Sequence, residues 1–124
     1  MKELIVPAGG PPPVGPYSPA VKAGGWVFVS GQIPILGNGD LVSGPIKDQV
    51  RQVLENLSTL LAAAGTSLDK VVKASVFLRD LGDFEEMNEI YDEYFGASKP
   101  ARSTVQVSRL PKDVDVEIDV IALA

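Results

Sequence analysis

The sequence predicts an α+β fold, a mixed β-sheet with two helices packed on one face, as a single domain over residues 1–124. Two patterns predict it. Several short segments alternate apolar and polar residues or are rich in β-branched residues, as strands are. Two longer segments repeat apolar residues at every third or fourth position, as helices do. With 45% hydrophobic and 22% charged residues, the 124 residues are enough to bury one core.

The N-terminal part predicts a lip followed by a hairpin. Prolines and glycines crowd residues 8–16, which excludes a helix or an inner strand and favours a rigid lip over a pocket. Strands are predicted at 18–22 and 26–30, because Gly24-Gly25 between them is a favoured turn pair. Trp26–Val29 is apolar on both faces, so this strand should be covered on both sides.

Two helices are predicted from their apolar spacing. The first starts at Ser43-Gly44-Pro45 and ends before Gly65, and the second extends from Asp83 to Gly96. Residues 71–78 between them are predicted to form a strand that is apolar on more than one face. Because two helices can cover only one face of such a sheet, we expect the other face to meet another subunit of a homo-oligomer.

The C-terminal segment predicts a second hairpin, which carries candidate chemistry. Residues 114–120 alternate strictly, and residues 104–107 are rich in β-branched residues and also alternate, with turn residues at 110–113. If these strands pair antiparallel, Arg102 and Glu117 come to the same end of the hairpin. An arginine can clamp a carboxylate and a glutamate can move a proton or orient water. The alternative is a solvated ion pair of little energetic value.

The composition excludes several classes of function. The chain has no cysteine and no histidine, so it has no disulfide, no thiol nucleophile, no thiolate metal site and no histidine base. Acid–base chemistry must use carboxylate, tyrosine, lysine or water. A net charge of −5 argues against a nucleic-acid surface. Without a membrane-spanning run or a signal-peptide apolar region, we expect a cytoplasmic protein with no membrane partner.

Four separated motifs resemble those of the Rid family, the reactive intermediate deaminases also called YjgF-type or L-PSP endoribonuclease-type proteins. The motifs are Gly15-Pro16-Tyr17-Ser18, Val29-Ser30-Gly31-Gln32-Ile33-Pro34, Pro100-Ala101-Arg102-Ser103 and the run from Arg109 to Ala122. Their order and spacing match across nearly the whole chain. The resemblance implies a chorismate-mutase-like fold and a homotrimer with a cleft between each pair of neighbouring subunits.

The resemblance also implies an activity, namely hydrolysis of 2-iminobutanoate and 2-iminopropanoate. These reactive enamine and imine intermediates, 2-aminoacrylate among them, arise from pyridoxal-phosphate-dependent dehydratases and are converted to 2-oxo acids and ammonia. The implied partners are small 2-imino and 2-oxo acids, with no metal, no organic cofactor and no nucleic acid. Two alternatives stay open: a non-enzymatic regulator that binds small carboxylates, and an endoribonuclease or translation inhibitor. The net charge and the missing histidines speak against the second.

Site roles follow from the resemblance position by position. Arg102 would clamp the substrate carboxylate, and Glu117 would orient water and relay protons from a partly dry cleft that raises its pKa. Asp115 and Asp119 could add like-charge effects, or could equally indicate that this face of the strand is solvated. The best-known deaminases carry Cys where this chain has Thr104. Catalytic roles are implied for Arg102, Glu117, Tyr17 and Ser30, and substrate-binding roles for Gly31, Thr104, Asn88 and Arg102.

Overall fold

The computed structural model describes residues 1–8 and 13–124, which form one six-stranded sheet with two helices against it. The strand order is β1-β2-β3-β6-β4-β5, in which β4 and β5 are parallel and the other pairs are antiparallel. The predicted α+β fold with a mixed sheet is therefore confirmed. The elements are β1 (Glu3–Ile5), β2 (Ala20–Ala23), β3 (Trp26–Gln32), α1 (Ile46–Ala63), β4 (Val71–Leu78), α2 (Phe84–Phe95), β5 (Ala101–Gln106) and β6 (Val116–Leu123).

Both helices pack on the same face of the sheet, as predicted. The apolar stripe of α1 is buried along its whole length, from Ile46 to Leu61, against the inward residues of β3 and β6. Gly65 ends the helix with φ +84°, a left-handed conformation that glycine adopts without steric cost. Burial of such side chains stabilises the fold by roughly 1.5–3 kcal/mol each, which makes this layer the core.

The opposite face of the sheet is not covered by the described part of the chain. Register places Leu4, Phe28 and Ile121 in one row on this face, and Phe28 remains 44% exposed. Trp26, Leu123 and Val105 extend the apolar surface on either side. We call this surface the open face. The expected homo-oligomer would cover it, and that expectation stays a prediction.

The predicted C-terminal hairpin is wrong. Strand β5 does not pair with β6, because β4 lies between them and bonds to both. Helix α2 connects β4 to β5, and a parallel neighbour requires such a long crossover connection. The segment predicted as a hairpin turn forms a short 3-10 helix at Pro111–Asp113, in a connection that returns the chain past β4.

Two further points concern the N-terminal part and the helices. Strand β1 was not expected from the sequence, whereas the β2–β3 hairpin around Gly24-Gly25 is confirmed. Residues 9–12 of the predicted lip lie outside the described residues. In the described part of the chain, neither helix is long and apolar enough to cross a membrane.

Candidate active site in two halves

Glu117 lies on the open face, against a break in the β3–β6 ladder. The register of this pair shifts between Val29 and Gln32, so Ser30 and Gly31 have no partner residue on β6. The Glu117 carboxyl group packs directly over Gly31. A Cβ atom at residue 31 would lie 2.8 Å from Cδ of Glu117 and closer still to Oε2. The absence of a side chain at residue 31 therefore allows this close approach of the Glu117 carboxyl group.

The environment of Glu117 favours its protonated form. Burial raises the pKa of the Glu117 carboxyl, and the negative charge of Asp119 on the same strand raises it further. Asp115 does not contribute, contrary to expectation. Its carboxylate is bound by Arg79 at 2.7 Å and by the Gln49 amide at 2.8 Å, which ties the start of β6 to α1.

Tyr17 and Ser30 lie beside Glu117 and are linked to each other through the backbone. The Ser30 hydroxyl donates to the carbonyl of Ser18 at 2.7 Å, and the Ser30 N–H donates to Pro19 at 2.9 Å. Ser30 thus anchors the segment that carries Tyr17. Tyr17, Ser30, Gly31 and Glu117 all line one cavity of about 980 Å³. We call these residues and their cavity the glutamate half-site.

The described part of the lip lines the same cavity. Ala8, Pro13 and Val14 contribute apolar surface to it, which agrees with the prediction of a lip over a pocket for these residues. Lys112, from the connection before β6, also lines it and has a left-handed φ of +56°. The cavity thus combines an apolar rim, one carboxylate and one lysine.

Arg102 lies in a second place, on the helix face of β5. Its side chain is held by residues 84, 88 and 91 of α2. These residues are spaced four and three positions apart, so they lie on one face of the helix. The guanidinium donates to the Asn88 side-chain oxygen at 2.7 Å. Its Cζ lies 4.6 Å from the ring centre of Tyr91 and 5.5 Å from that of Phe84. These contacts orient the guanidinium without neutralising it.

The guanidinium of Arg102 has no ionic partner in residues 1–8 and 13–124. The four ion pairs of this part of the chain all involve other residues, and no carboxylate lies within 4.0 Å of Arg102. An arginine has five N–H donors, of which Asn88 uses one. Arg102, Asn88 and Tyr91 line a cavity of about 230 Å³. We call this the arginine half-site, and it is suited to bind an anion through two parallel hydrogen bonds.

Thr104 lies two positions after Arg102, on the same face of β5. The N–H of Val107 donates to Leu78 on β4 at 2.9 Å. Because successive N–H groups in a strand point to opposite edges, the N–H of Thr104 points away from β4. Strand β5 is the edge of the sheet, so this group is open to a ligand or a partner.

Arg102 and Glu117 are not brought together within one chain. Arg102 pairs with Ala74 and Glu117 with Phe77, three positions further along β4. Residues an odd number apart on a strand point to opposite faces, so the two side chains leave the sheet on opposite sides. The expectation that the hairpin joins them is therefore wrong. The predicted site residues fall into two half-sites, with Tyr17, Ser30, Gly31 and Glu117 in one and Asn88, Arg102 and Thr104 in the other.

Sequence reasoning missed Phe84 and Tyr91 as site residues. Both belong to the apolar spacing from which the second helix was predicted, and Tyr91 is indeed buried. The available signal was their spacing from Asn88, which places all three on one helix face.

In the described residues no group of three or more acidic side chains is placed to hold a metal ion.

Comparison with known proteins shows the family of the chain. The sequence profile of the family described as Endoribonuclease L-PSP matches residues 9–124. A structure of a conserved Rid family protein from Yersinia pestis superimposes with a TM-score of 0.96, at 45% identity, and each chain covers 100% of the other. The chain belongs to the Rid family.

Two relatives are informative about this Rid protein. It is 58% identical over 123 residues to a RutC family protein of Pyrococcus horikoshii, covering 98% of each chain. It is 43% identical over 126 residues to Escherichia coli TdcF, named as a candidate reactive intermediate deaminase, covering 99% of this chain and 98% of TdcF. A crystal structure of TdcF with bound serine matches with a TM-score of 0.91 at 41% identity, and 98% of each chain is covered.

Proposed function

We propose that this protein hydrolyses 2-imino acids, 2-iminobutanoate and 2-iminopropanoate in particular, to 2-oxo acids and ammonia. The observation that carries the proposal is Arg102, a guanidinium that is oriented by Asn88 and two aromatic rings but has no carboxylate partner in the described chain. Such a group is suited to bind the carboxylate of a small acid. The name of TdcF, which is similar over its whole length, supports the same reaction class.

The reaction would take place in a cleft between two subunits of a homotrimer. The arginine half-site lies at an edge strand on the helix face, and the glutamate half-site lies on the open face. A second copy of the chain, placed against the apolar open face, could bring its arginine half-site to the glutamate half-site of the first. The exposure of Phe28 and its neighbours supports such an assembly, because apolar surface of this kind favours association.

The chemistry needs only positioning and one carboxylate. Arg102 holds the substrate carboxylate, and the iminium carbon is already electrophilic. Glu117 accepts a proton from water as the new C–O bond forms and the C=N electron pair moves to nitrogen. Glu117 then gives this proton to nitrogen, and, ionised again, takes the proton of the new hydroxyl as the C–N bond breaks, so that the carbonyl forms and ammonia leaves. The raised pKa of Glu117 brings this carboxyl closer to working pH, which suits both proton transfers.

A coupled assay tests this proposal. An amino-acid oxidase generates the 2-imino acid, and semicarbazide traps what the protein has not hydrolysed. Wild type should remove the imine, whereas Arg102→Ala and Glu117→Gln should each lose about 100-fold or more in kcat/KM. Arg51→Ala, which removes an exposed partner of Glu93, is the matched control and should retain activity. A folded wild type that does not accelerate loss of the imine would refute the proposal.

A carboxylate-binding regulator is the second candidate function. It is favoured by the separation of the two half-sites, since the arginine half-site can bind an anion without Glu117. The TdcF structure with bound serine shows that a relative binds an amino acid. For a regulator, Glu117→Gln would leave the biological effect intact and Arg102→Ala would remove it. RNA cleavage that survives both substitutions would instead favour an endoribonuclease.

A further inference from the structure

Two buried side-chain oxygens have no hydrogen-bond partner in the part of the chain that the structure describes. They are the hydroxyl of Tyr91 and Oγ1 of Thr104. Buried polar groups are normally hydrogen-bonded, and an unpaired one destabilises the fold. Both hydroxyls belong to residues around Arg102. The Tyr91 ring lies 4.6 Å from its Cζ, and Thr104 follows two positions later on the same face of β5.

Tyr91 lines the cavity that the guanidinium faces. The residue is only 8% exposed, yet it contributes to the wall of the same 230 Å³ cavity as Arg102 and Asn88. Its ring contacts two neighbours, Arg102 and Phe95, and these contacts do not use the hydroxyl. The proton of this hydroxyl is therefore an unused donor, beside a guanidinium that has no carboxylate within 4.0 Å in the described part of the chain.

We propose that the Tyr91 hydroxyl binds the ligand carboxylate together with Arg102. The inference rests on the proposed function in taking a small carboxylic acid as the ligand. A carboxylate has about four lone-pair sites, and a guanidinium that binds it through two hydrogen bonds leaves sites for a hydroxyl donor. Tyr91 is then a substrate-binding residue as well as the ring on which Arg102 stacks.

A purely structural role for Tyr91 makes a different prediction. If the ring serves only to support Arg102, Tyr91→Phe keeps the stacking surface and should leave ligand affinity unchanged. If the hydroxyl instead bonds to a neighbouring subunit, Tyr91→Phe should destabilise the protein before any ligand is added. Only a ligand-binding hydroxyl predicts weaker binding without a loss of stability, because the removed group was unpaired in the free protein.

Calorimetric titration with 2-oxobutanoate tests the inference. The probe carries the carboxylate but no imine, so binding is measured without turnover. We expect Tyr91→Phe to bind about tenfold more weakly than wild type, since a hydrogen bond to a charged group is lost. Its melting temperature without ligand should equal or exceed that of wild type. Tyr94→Phe is the matched control, because Tyr94 lies on the same helix near Arg51 and Glu55, and should bind as wild type does.

Three results would overturn the inference: equal affinity of Tyr91→Phe and wild type, a clearly lower melting temperature of free Tyr91→Phe, or no binding of 2-oxobutanoate by wild type. The imine assay on the same wild-type sample separates this inference from the proposed function. A wild type that binds 2-oxobutanoate but does not hydrolyse the imine refutes only the deaminase activity. A wild type that hydrolyses the imine while Tyr91→Phe binds normally refutes only the role of the hydroxyl.

Discussion

The two half-sites hold their charged groups by different means. In the glutamate half-site a carboxylate packs onto the backbone, because Gly31 has no side chain and the β3–β6 ladder is broken beside it. In the arginine half-site the guanidinium is held by side chains of one helix, through Asn88 and the rings of Phe84 and Tyr91. The protein itself partly desolvates the Glu117 carboxylate. The Arg102 guanidinium, by contrast, has no ionic partner in the described part of the chain. The guanidinium is found in only one of the two half-sites, and the half-buried carboxylate Glu117 only in the other.

The largest expected effect comes from mixing two inactive variants. Arg102→Ala retains an intact glutamate half-site and Glu117→Gln retains an intact arginine half-site. If a cleft uses one half from each of two subunits, refolding the variants together should restore activity. In a homotrimer each mixed trimer would contain one intact cleft, so equal amounts should give about a quarter of wild-type activity. Imine hydrolysis measures the result, and native mass spectrometry verifies the mixing.

The control for this experiment replaces Glu117→Gln with the double variant that carries both substitutions. No combination of Arg102→Ala with the double variant contains an intact arginine half-site, so activity should stay at the level of the parents. If the first mixture also stays at that level although mixed oligomers have formed, the two half-sites do not act in one shared cleft.

The failure to predict these two halves has a definite physical cause. Alternation in residues 114–120 correctly predicted which β6 side chains are buried, and helical spacing correctly predicted α1 and α2. Strand pairing was wrong because sequence neighbours were assumed to be partners in the sheet. The more apolar β6 instead takes the inner position, and the polar β5 takes the edge.

Residue-level prediction was better where the cause is local. The Gly24-Gly25 pair was expected to form a hairpin turn, and both residues have a positive φ in the turn between β2 and β3. Asn88 lies on a helix that is distant in sequence from β5, so its contact with Arg102 could not be derived from pattern or spacing. For Phe84 and Tyr91, spacing could show that they share a helix face with Asn88, but not that this face meets Arg102. Contacts between elements depend on the order of strands, which local patterns do not encode.

A second experiment alters the glutamate half-site alone. Gly31→Ala places a methyl group where Cδ of Glu117 would be 2.8 Å away, so the carboxylate must move. Because displacement by about 1 Å can reduce catalysis about 100-fold, kcat/KM for imine hydrolysis should fall by about that factor. Gly82→Ala, in the short helix before α2 and also outside the left-handed region, should have little effect on the reaction.

The coupling of Gly31 to Glu117 is checked by a double-mutant cycle. If Gly31→Ala acts by moving the carboxylate, adding it to Glu117→Gln should cause little further loss of kcat/KM. Losses that multiply independently would show that Gly31 contributes in another way, for example through its backbone, and would contradict the packing argument.

The smallest expected effect is a shift in pH dependence that belongs to the glutamate half-site. Glu117 must be ionised to accept a proton, and burial followed by the Asp119 charge raises its pKa above the ordinary 4.5. The acidic limb of kcat/KM should therefore have its midpoint above that value. Asp119→Asn removes the like charge and should move this limb to lower pH. Asp115→Asn should leave it in place, because Asp115 is bound by Arg79 and Gln49.

Unfolding measured against pH checks the same assignment without turnover. A carboxyl whose pKa is raised by folding binds more protons in the folded state than in the unfolded state, so its contribution to the free energy of unfolding falls as pH rises. Glu117→Gln should remove this part of the slope just above pH 4.5 and make the protein relatively more stable at neutral pH. Two results together would contradict this assignment: Glu117→Gln leaves the pH dependence of the free energy of unfolding unchanged, and Asp119→Asn leaves the acidic limb of kcat/KM unchanged. Glu117 would then be as solvated in the assembled protein as an ordinary surface glutamate. The half-site would then lack the dry environment that distinguishes it from the arginine half-site.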